Sequence, residues 1–357
     1  MIRVLSLSGD PRSIGQQHGE QVADLRPQIQ ASIQERLAGL HQPGADLAPY
    51  INKITQVWEQ YAPDTLEMLM GIAEALDIEW GEYITYTIAS YLTDRLKQAR
   101  INEGCTTWAA GVNFTLDGAP ILAKNRDYHP DHQPLQCLAR VQPAGGYPYL
   151  CLTSAGSPGV FSSGINSAGL AVADTYVGSN DIGPGIARYS LMMNLLEKFS
   201  RVQDTINYLY TRPHSGAGTI TLADAQGDLA VFEIAHSVQA VRQPDEGFII
   251  STNHFNAPEM RSRWVDTESP QLQGNSLERF KHVENALRSA RGQVDIPWSQ
   301  TLMAEHGTVL SAICRHSEID SCSMTVSSTI FLPRQASLYV ANGLPCQTPF
   351  ELFHVID

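Results

Sequence analysis

The sequence has no uninterrupted apolar run near the roughly 20 residues that a membrane-spanning helix requires. Its opening stretch, Met1 to Asp10, has too short an apolar core for a secretory signal. Positive charge is scarce: 24 Lys and Arg stand against 37 Asp and Glu, a formal net charge of −13. That balance argues against nucleic acid or an anionic membrane as partner, and says little about a small substrate, whose local field can differ. Cysteine is sparse as well. The six residues Cys105, Cys137, Cys151, Cys314, Cys322 and Cys346 are scattered and contain no Cys-x-x-Cys pair. They do not read as a disulfide scaffold, and a reducing cytoplasm is the expected location. Internal repeats and low-complexity tracts are absent too.

What is present describes a globular protein. Of 357 residues, 43% are apolar and 17% charged, enough for one large or two small domains with a substantial core. The first hundred residues carry helical periodicity. Val22, Leu25, Ile29, Ile33 and Leu37 form one stripe and Leu47 to Tyr61 another, followed by Leu66 to Leu76 and Ile84 to Leu92. Beyond Cys105 the pattern turns to strands: Trp108 to Phe114, Ile121 to Ala123, Val160 to Ser163, Leu170 to Ala173, Thr219 to Leu222, Leu229 to Ile234, Phe248 to Ser251, Met324 to Phe331 and Leu338 to Val340. Helices are expected at Ile186 to Phe199 and Leu277 to Leu287. The polar segment Asn256 to Asn275 is the expected flexible loop. Strands in runs and helices in runs predict an α+β layered fold.

The helical and strand-rich parts meet at Glu103-Gly104-Cys105-Thr106-Thr107-Trp108. A second polar cluster, Lys124-Asn125-Arg126-Asp127, follows the Asp117-Gly118 turn signal. A hairpin centred on that turn would put Asp127 roughly opposite Trp108, bringing a thiol and a carboxylate to one sheet end. Taken singly, the residues have plainer readings. Cys105 reads as a small core residue, Asp127 and Asn253 as strand-end turn residues, and Arg126 and Arg315 as surface or ion-pairing charges.

Gly104-Cys105-Thr106-Thr107 with Asn125-Arg126-Asp127 resembles the acyl-coenzyme A:6-aminopenicillanate acyltransferase family of cysteine N-terminal-nucleophile (Ntn) hydrolases, related to penicillin V acylases and bile-salt hydrolases. The resemblance extends to Gly9-Asp10-Pro11, Gly15-Gln16-Gln17-His18-Gly19, Glu67 to Ala73, Gly164 to Leu170, Ser251 to Phe255 and Cys314-Arg315-His316. It implies an αββα sandwich of two antiparallel sheets. Residues 1–104 would be a helical pro-segment kept as a small subunit, and 105–357 the catalytic large subunit, the two fragments staying associated. It also implies autocatalytic cleavage of the Gly104–Cys105 bond, which frees an α-amino group that serves as base for its own thiol. The ordinary pKa of such an amine, about 8, suits that task.

By the same resemblance Asp127 orients the freed amine, Asn253 belongs to the oxyanion hole and Arg315 stabilises charge near the thiol. Thr106, Lys124, Asn125 and Tyr176 are candidate supporting or substrate-contacting residues. Lys124 departs from the family, whose acylases carry an arginine there, and an ammonium does not replace a planar guanidinium. The implied function is hydrolysis of a linear carboxamide in a small-molecule substrate, with no metal or redox cofactor. The alternatives are acyl transfer from a thioester or amide to an amine, and a catalytically idle, uncleaved binding protein. A papain-like arrangement of Cys105 with His254, and a metal pair at His129 and His132, are set aside. Asn253 and His254 are adjacent, the Cys-Gly-Ser pattern is missing, and Pro130 with no further ligands makes the pair a loop.

Overall fold

The computed structural model describes residues 1–40, 47–96, 104–157, 159–267, 270, 272–317 and 323–356. The chain opens with β1 (Arg3–Gly9) and α1 (Pro11–Gln21), then α2 (Arg26–Ala38), α3 (Ala48–Tyr61), α4 (Pro63–Leu76), α5 (Trp80–Thr87) and α6 (Ala89–Leu96). Strands β2 (Thr106–Ala110), β3 (Ile121–Tyr128), β4 (Gln136–Pro143), β5 (Tyr149–Ser154), β6 (Ser163–Asn166) and β7 (Ala171–Thr175) follow. After them come α7 (Arg188–Lys198) and α8 (Val202–Tyr210), then β8 (Gly218–Ala223), β9 (Leu229–Ile234), β10 (Gln239–Arg242) and β11 (Phe248–Ser251). The last elements are α9 (Asn275–Ser289), α10 (Ile296–Met303), β12 (Met324–Leu332), β13 (Ser337–Ala341) and β14 (Glu351–His354).

These strands make two sheets. One has eight strands in the order β1-β4-β5-β6-β7-β8-β9-β10, the other six in the order β11-β2-β3-β12-β13-β14. Three apolar cores stack them into four layers. Leu122, Ile249 and Phe331 of the smaller sheet pack on Leu138, Leu150 and Val231 of the larger one between the sheets. The outer face of the larger sheet is covered by the amino-terminal helices with α7 and α8, through residues such as Trp58, Leu69 and Leu195. Trp108, Ile121 and Ile330 on the outer face of the smaller sheet pack against Val283 and Leu287 of α9 and Leu302 of α10. This is the α+β, αββα sandwich expected.

The pairing is antiparallel with one exception among the named strands: β1 runs parallel to β4 along all seven of its residues. The amino-terminal part is therefore more than a helical cap, because it supplies an edge strand to the larger sheet. Its packing explains several family-like glycines. Asp10 caps α1 by accepting from the Ser13 N–H at 2.8 Å. A Cβ on Gly15 would lie 2.0 Å from the Met68 carbonyl oxygen, and one on Gly71 would lie 2.4 Å from that of Arg12. Only glycine lets α1 and α4 approach this closely. In the Gly164 to Leu170 motif, Asn166 does the structural work. Its Oδ1 accepts from the N–H groups of Ala168 and Leu170, and its Nδ2 donates to the carbonyls of Leu196 and Phe199.

The β2–β3 register differs from the one expected. Thr106 faces Asn125 and Trp108 faces Ala123, four residues tighter than a hairpin centred on Asp117-Gly118. The chain folds back earlier because the Phe114 and Thr115 N–H groups both donate to the Gly111 carbonyl. Phe114 is buried against Phe248 with ring centroids 4.9 Å apart. The Leu116 N–H then donates to Val294, leaving Asp117-Gly118 as a turn beyond the sheet end. Continued by one and two residues, the observed register places Cys105 across from Arg126 and Gly104 across from Asp127. The expected flexible loop Asn256 to Asn275 contains a 3₁₀ turn at Pro258–Arg263; residues 268, 269 and 271 of it lie outside the described residues, as does Cys322.

Candidate active site

Strand alternation sends the side chains around Cys105 to two faces. Thr107 points between the sheets, where its hydroxyl meets that of Thr221 at 2.8 Å, and Cys105 shares that side. Thr106 and Trp108 point outward to the helices: the Thr106 hydroxyl accepts from Arg279 at 2.8 Å, and the Trp108 indole N–H donates to the Met303 sulfur. On β3, Lys124 and Arg126 reach toward the larger sheet, while Asn125 and Asp127 face the helical layer. A cavity opens at this sheet end. Cys105, Lys124, Arg126, Asp127, Asp174, Tyr176 and Arg188 line it from the strand-rich part, and Thr87, Ser90 and Tyr91 from the amino-terminal helices.

On the helical side, a continuous buried network holds Asp127, Arg315, Asn275, Arg279 and Asn253. Thr325 donates its hydroxyl to Asp127 Oδ1 at 2.7 Å. The guanidinium of Arg315 reaches Asn275 Oδ1 at 2.5 Å, and its Nε lies 3.7 Å from Asp127 Oδ2. Arg279, fully buried on α9, donates to Asn275 Oδ1, to the Cys105 carbonyl at 2.8 Å and to Asn253 Oδ1 at 2.7 Å. The Asn253 amide is thereby oriented, with Nδ2 donating to the Tyr176 carbonyl at 2.8 Å and a second N–H remaining on that nitrogen. Gly104 sits against Arg315: a Cβ there would lie 2.5 Å from the guanidinium carbon. A side chain at 104 would have to displace this guanidinium from its place beside Asp127 and Asn275; the backbone there is not left-handed.

The other side of the cavity is a satisfied ion cluster. Lys124 Nζ donates to Asp174 Oδ1 at 2.6 Å, to the Asp174 carbonyl and to the Ser162 carbonyl. Arg188 Nε donates to Asp174 Oδ2 at 3.2 Å, and its Nη1 to the Ala217 carbonyl. Burial works against the Asp174 charge, but Lys124 and Arg188 outweigh it and hold the carboxyl below its usual range. At Asp127 the balance goes the other way. Burial raises its pKa, and the pull of Arg315, Arg279 and the Thr325 hydroxyl only partly offsets that. Asp127 Oδ2 has no hydrogen-bond partner among the described residues.

The structure thus brings together Gly104, Cys105, Thr106, Asp127, Asn253, Arg315 and, across the cavity, Lys124 and Tyr176. The Tyr176 hydroxyl donates to Asp94. Asn125 faces the other way and ties the Met303 and Ile313 carbonyls, so it braces the site from behind. Arg126 is a correction: it is not a surface charge but is 4% exposed. Nη1 donates to Gln136 and Ser154, the guanidinium lies over the Tyr128 and Phe161 rings, and Nη2 has no hydrogen-bond partner among the described residues. Arg279, Asp174 and Arg188 were not foreseen, since each meets its partners only through the tertiary fold. The two arrangements set aside stay apart from the thiol. His254 bonds Thr252, Ser276 and Asn256, and His132 turns inward to the Ser154 hydroxyl.

Comparison with known proteins adds the family. No curated protein matches the chain significantly. Among solved structures, similarity extends to a mutant conjugated bile acid hydrolase from Clostridium perfringens (13% identity, TM-score 0.45, covering 70% of this chain and 96% of that one). It also extends to penicillin V acylase from Agrobacterium tumefaciens (14%, 0.48, 70% and 86%) and to the Caenorhabditis elegans ortholog of N-acylethanolamine-hydrolyzing acid amidase (16%, 0.46, 64% and 93%). Residues 114–346, about two thirds of the sequence, match the acyl-coenzyme A:6-aminopenicillanic acid acyl-transferase family, beginning nine residues after Cys105. The chain belongs to that family.

Proposed function

We propose that the protein is an autoprocessing cysteine amidohydrolase whose nucleophile is Cys105. In maturation the Cys105 thiol attacks the Gly104 carbonyl. The peptide C–N bond breaks as the thioester forms, freeing the Cys105 α-amine, and water then hydrolyses the thioester to a Gly104 carboxylate and the regenerated Cys105 thiol. In turnover that amine accepts the thiol proton as sulfur attacks a substrate carboxamide, and returns it to the leaving amine. Water then releases the acyl group from sulfur as a carboxylic acid.

One observation carries this reading. Asp127, which the β2–β3 register continued by two residues sets across from Gly104, keeps a buried carboxylate oxygen that has the Arg315 ion pair but no hydrogen bond among the described residues, where the amine created by cleavage would donate. Asn253 supports it, since the N–H left on its fixed amide is a suitable oxyanion donor. Arg279 holds the Cys105 carbonyl and so the nucleophile's backbone. Arg315, against Gly104, adds fixed positive charge at the scissile peptide. Thr87, Ser90 and Tyr91 form part of the cavity wall, and β1 is paired along its length, so both fragments stay together after cleavage.

The cavity lining carries Lys124, Arg126 and Arg188 against Asp127 and Asp174, an excess of positive charge inside a protein of net charge −13. A buried cation without a carboxylate partner is costly unless a ligand supplies one. Arg126 therefore favours amides bearing an anionic group. Hydrolysis is preferred over transfer because, among the described residues, no separate amine subsite lines the cavity around Cys105. The test offers N-acyl amides, with and without a carboxylate, together with increasing amounts of assorted amines. The expected products are free acid and amine, with an acyl group carried on Cys105 and no turnover in Cys105→Ala. Capture of most of the acyl group by amines at millimolar concentration, the usual scale of enzyme KM values, would replace hydrolysis by transfer. Full activity of Cys105→Ala would overturn the nucleophile itself.

A further inference from the structure

Beside the candidate active site, three loop segments bring four soft donors to one point. His306 follows α10, Cys314 and His316 flank Arg315, and Cys346 lies between β13 and β14. Their ligand atoms all fall within 4.8 Å of one another. The sulfurs of Cys314 and Cys346 are 3.6 Å apart, and both cysteines are free. His316 Nε2 lies 3.3 Å from the Cys346 sulfur and 3.0 Å from His306 Nε2. A tetrahedral zinc ion with its usual bond lengths would set sulfur–sulfur edges of roughly 3.8 Å and nitrogen–nitrogen edges of roughly 3.4 Å. The observed edges are close to that size. A single His316 nitrogen cannot satisfy both of these neighbours with one proton or one lone pair, whereas one cation at the centre accepts all four donors at once.

We propose that His306, Cys314, His316 and Cys346 form a structural zinc site that fixes the loop presenting Arg315. Two thiolates and two imidazoles in tetrahedral array are the donor set that selects zinc among common divalent ions. Four protein ligands leave no open position, so the ion's task is to hold structure. Binding displaces the two thiol protons to solvent and needs both imidazoles neutral. The ligands span forty residues on three segments. The Ile313 and Cys314 N–H groups both donate to the Glu305 carbonyl, closing the loop that carries His306 and Cys314, with His316 two residues beyond the closure. Cys314 is buried and His306 is exposed, so an ion has a route from solvent. Arg315, between two ligands, contacts Asn275 and Gly104 from this anchored loop, which gives the site a consequence for the cavity beside it.

The experiment measures metal in the purified full chain and then titrates the chelator-treated, reduced protein with cobalt(II) and zinc. The expected result is about one zinc per chain and the intense visible spectrum of a tetrahedral cobalt–thiolate centre. The melting temperature should fall on chelation and recover with zinc but not magnesium. Cys346→Ser should abolish the cobalt spectrum. Should that variant fail to fold, His306→Ala, at the exposed edge, is expected to weaken zinc affinity by at least about tenfold. These readouts do not depend on catalysis, so they stand or fall apart from the proposed reaction. A folded wild-type protein that takes up neither zinc nor cobalt at micromolar concentration would overturn the proposal. So would a native Cys314–Cys346 disulfide, or a cobalt spectrum that both variants leave unchanged.

Discussion

Two aspartates border the same cavity, Asp127 fully buried and Asp174 with its side chain 13% exposed, and they are held in opposite ways. Asp174 is grasped by Lys124 and Arg188, every polar atom of its carboxylate is paired, and its carboxyl is held below the usual range. Asp127 has two guanidinium groups nearby, yet one oxygen has no hydrogen bond among the described residues and burial pushes its pKa up. The first arrangement is built for stability. The second tolerates an unfavourable group, which is characteristic of sites where stability yields to chemistry.

The largest effect expected from breaking this contrast is at Asp174. Asp174→Asn would leave Lys124 and Arg188 buried without their counter-charge, a loss of about 3–5 kcal/mol in urea unfolding at neutral pH. Because its folded pKa is lowered, this contribution is present above the unfolded value of about 3.9 and fades as pH falls through the folded value. The difference between wild type and Asp174→Asn should therefore shrink in acid. Asp127 has the opposite sign. Its raised folded pKa means that stability declines as pH rises from the unfolded to the folded value, and the penalty persists above it. Asp127→Asn should match or exceed wild-type stability at pH 7 and converge with it in acid, while losing amide turnover. A stability loss at Asp127→Asn equal to that at Asp174→Asn would remove the distinction.

Smaller effects sharpen the picture. Asn253→Ala removes the candidate oxyanion donor and is expected to lower kcat by about 10²- to 10³-fold in a steady-state assay. Unchanged kcat would return Asn253 to the role of a buried bracket between Arg279 and Tyr176. Arg126→Gln, which keeps a polar group of similar reach, should raise KM about tenfold or more for carboxylate-bearing amides and little for neutral ones, a loss of the size of a charged hydrogen bond. Equal KM changes for both classes would show Arg126 to be a packing residue.

The layered fold was legible because long periodic helices and alternating or fully apolar strands state their faces directly. β9 and β11 lie where the sequence pattern put them. Elements held by tertiary fit were not. α1 is interrupted by Gly15 and Gly19, poor helix formers whose purpose is visible only once α4 packs against them. β4 mixes Gln, Cys and Arg among its apolar residues, β5 ends in Thr and Ser, and the short helices α8 and α10 have little room to display a period. At the site, the Cys105 and Asp127 neighbourhood followed from a hairpin, although Phe114 moved the register by four residues. Arg279 and Asp174 meet partners up to 174 residues away, and the His306, Cys314, His316 and Cys346 cluster converges from three loops. No local spacing announces either.

The central claim is that Cys105 becomes a chain terminus and then a nucleophile. Intact-mass analysis with amino-terminal sequencing of active protein, before and after a thiol-directed acylating probe, tests it most directly. The expected result is two associated chains, the second beginning at Cys105 and carrying the probe on that residue, and a single unlabelled-at-105 chain for Cys105→Ala. Active protein that remains one uncut chain from Met1, or that carries the probe elsewhere while Cys105 stays free, would contradict it.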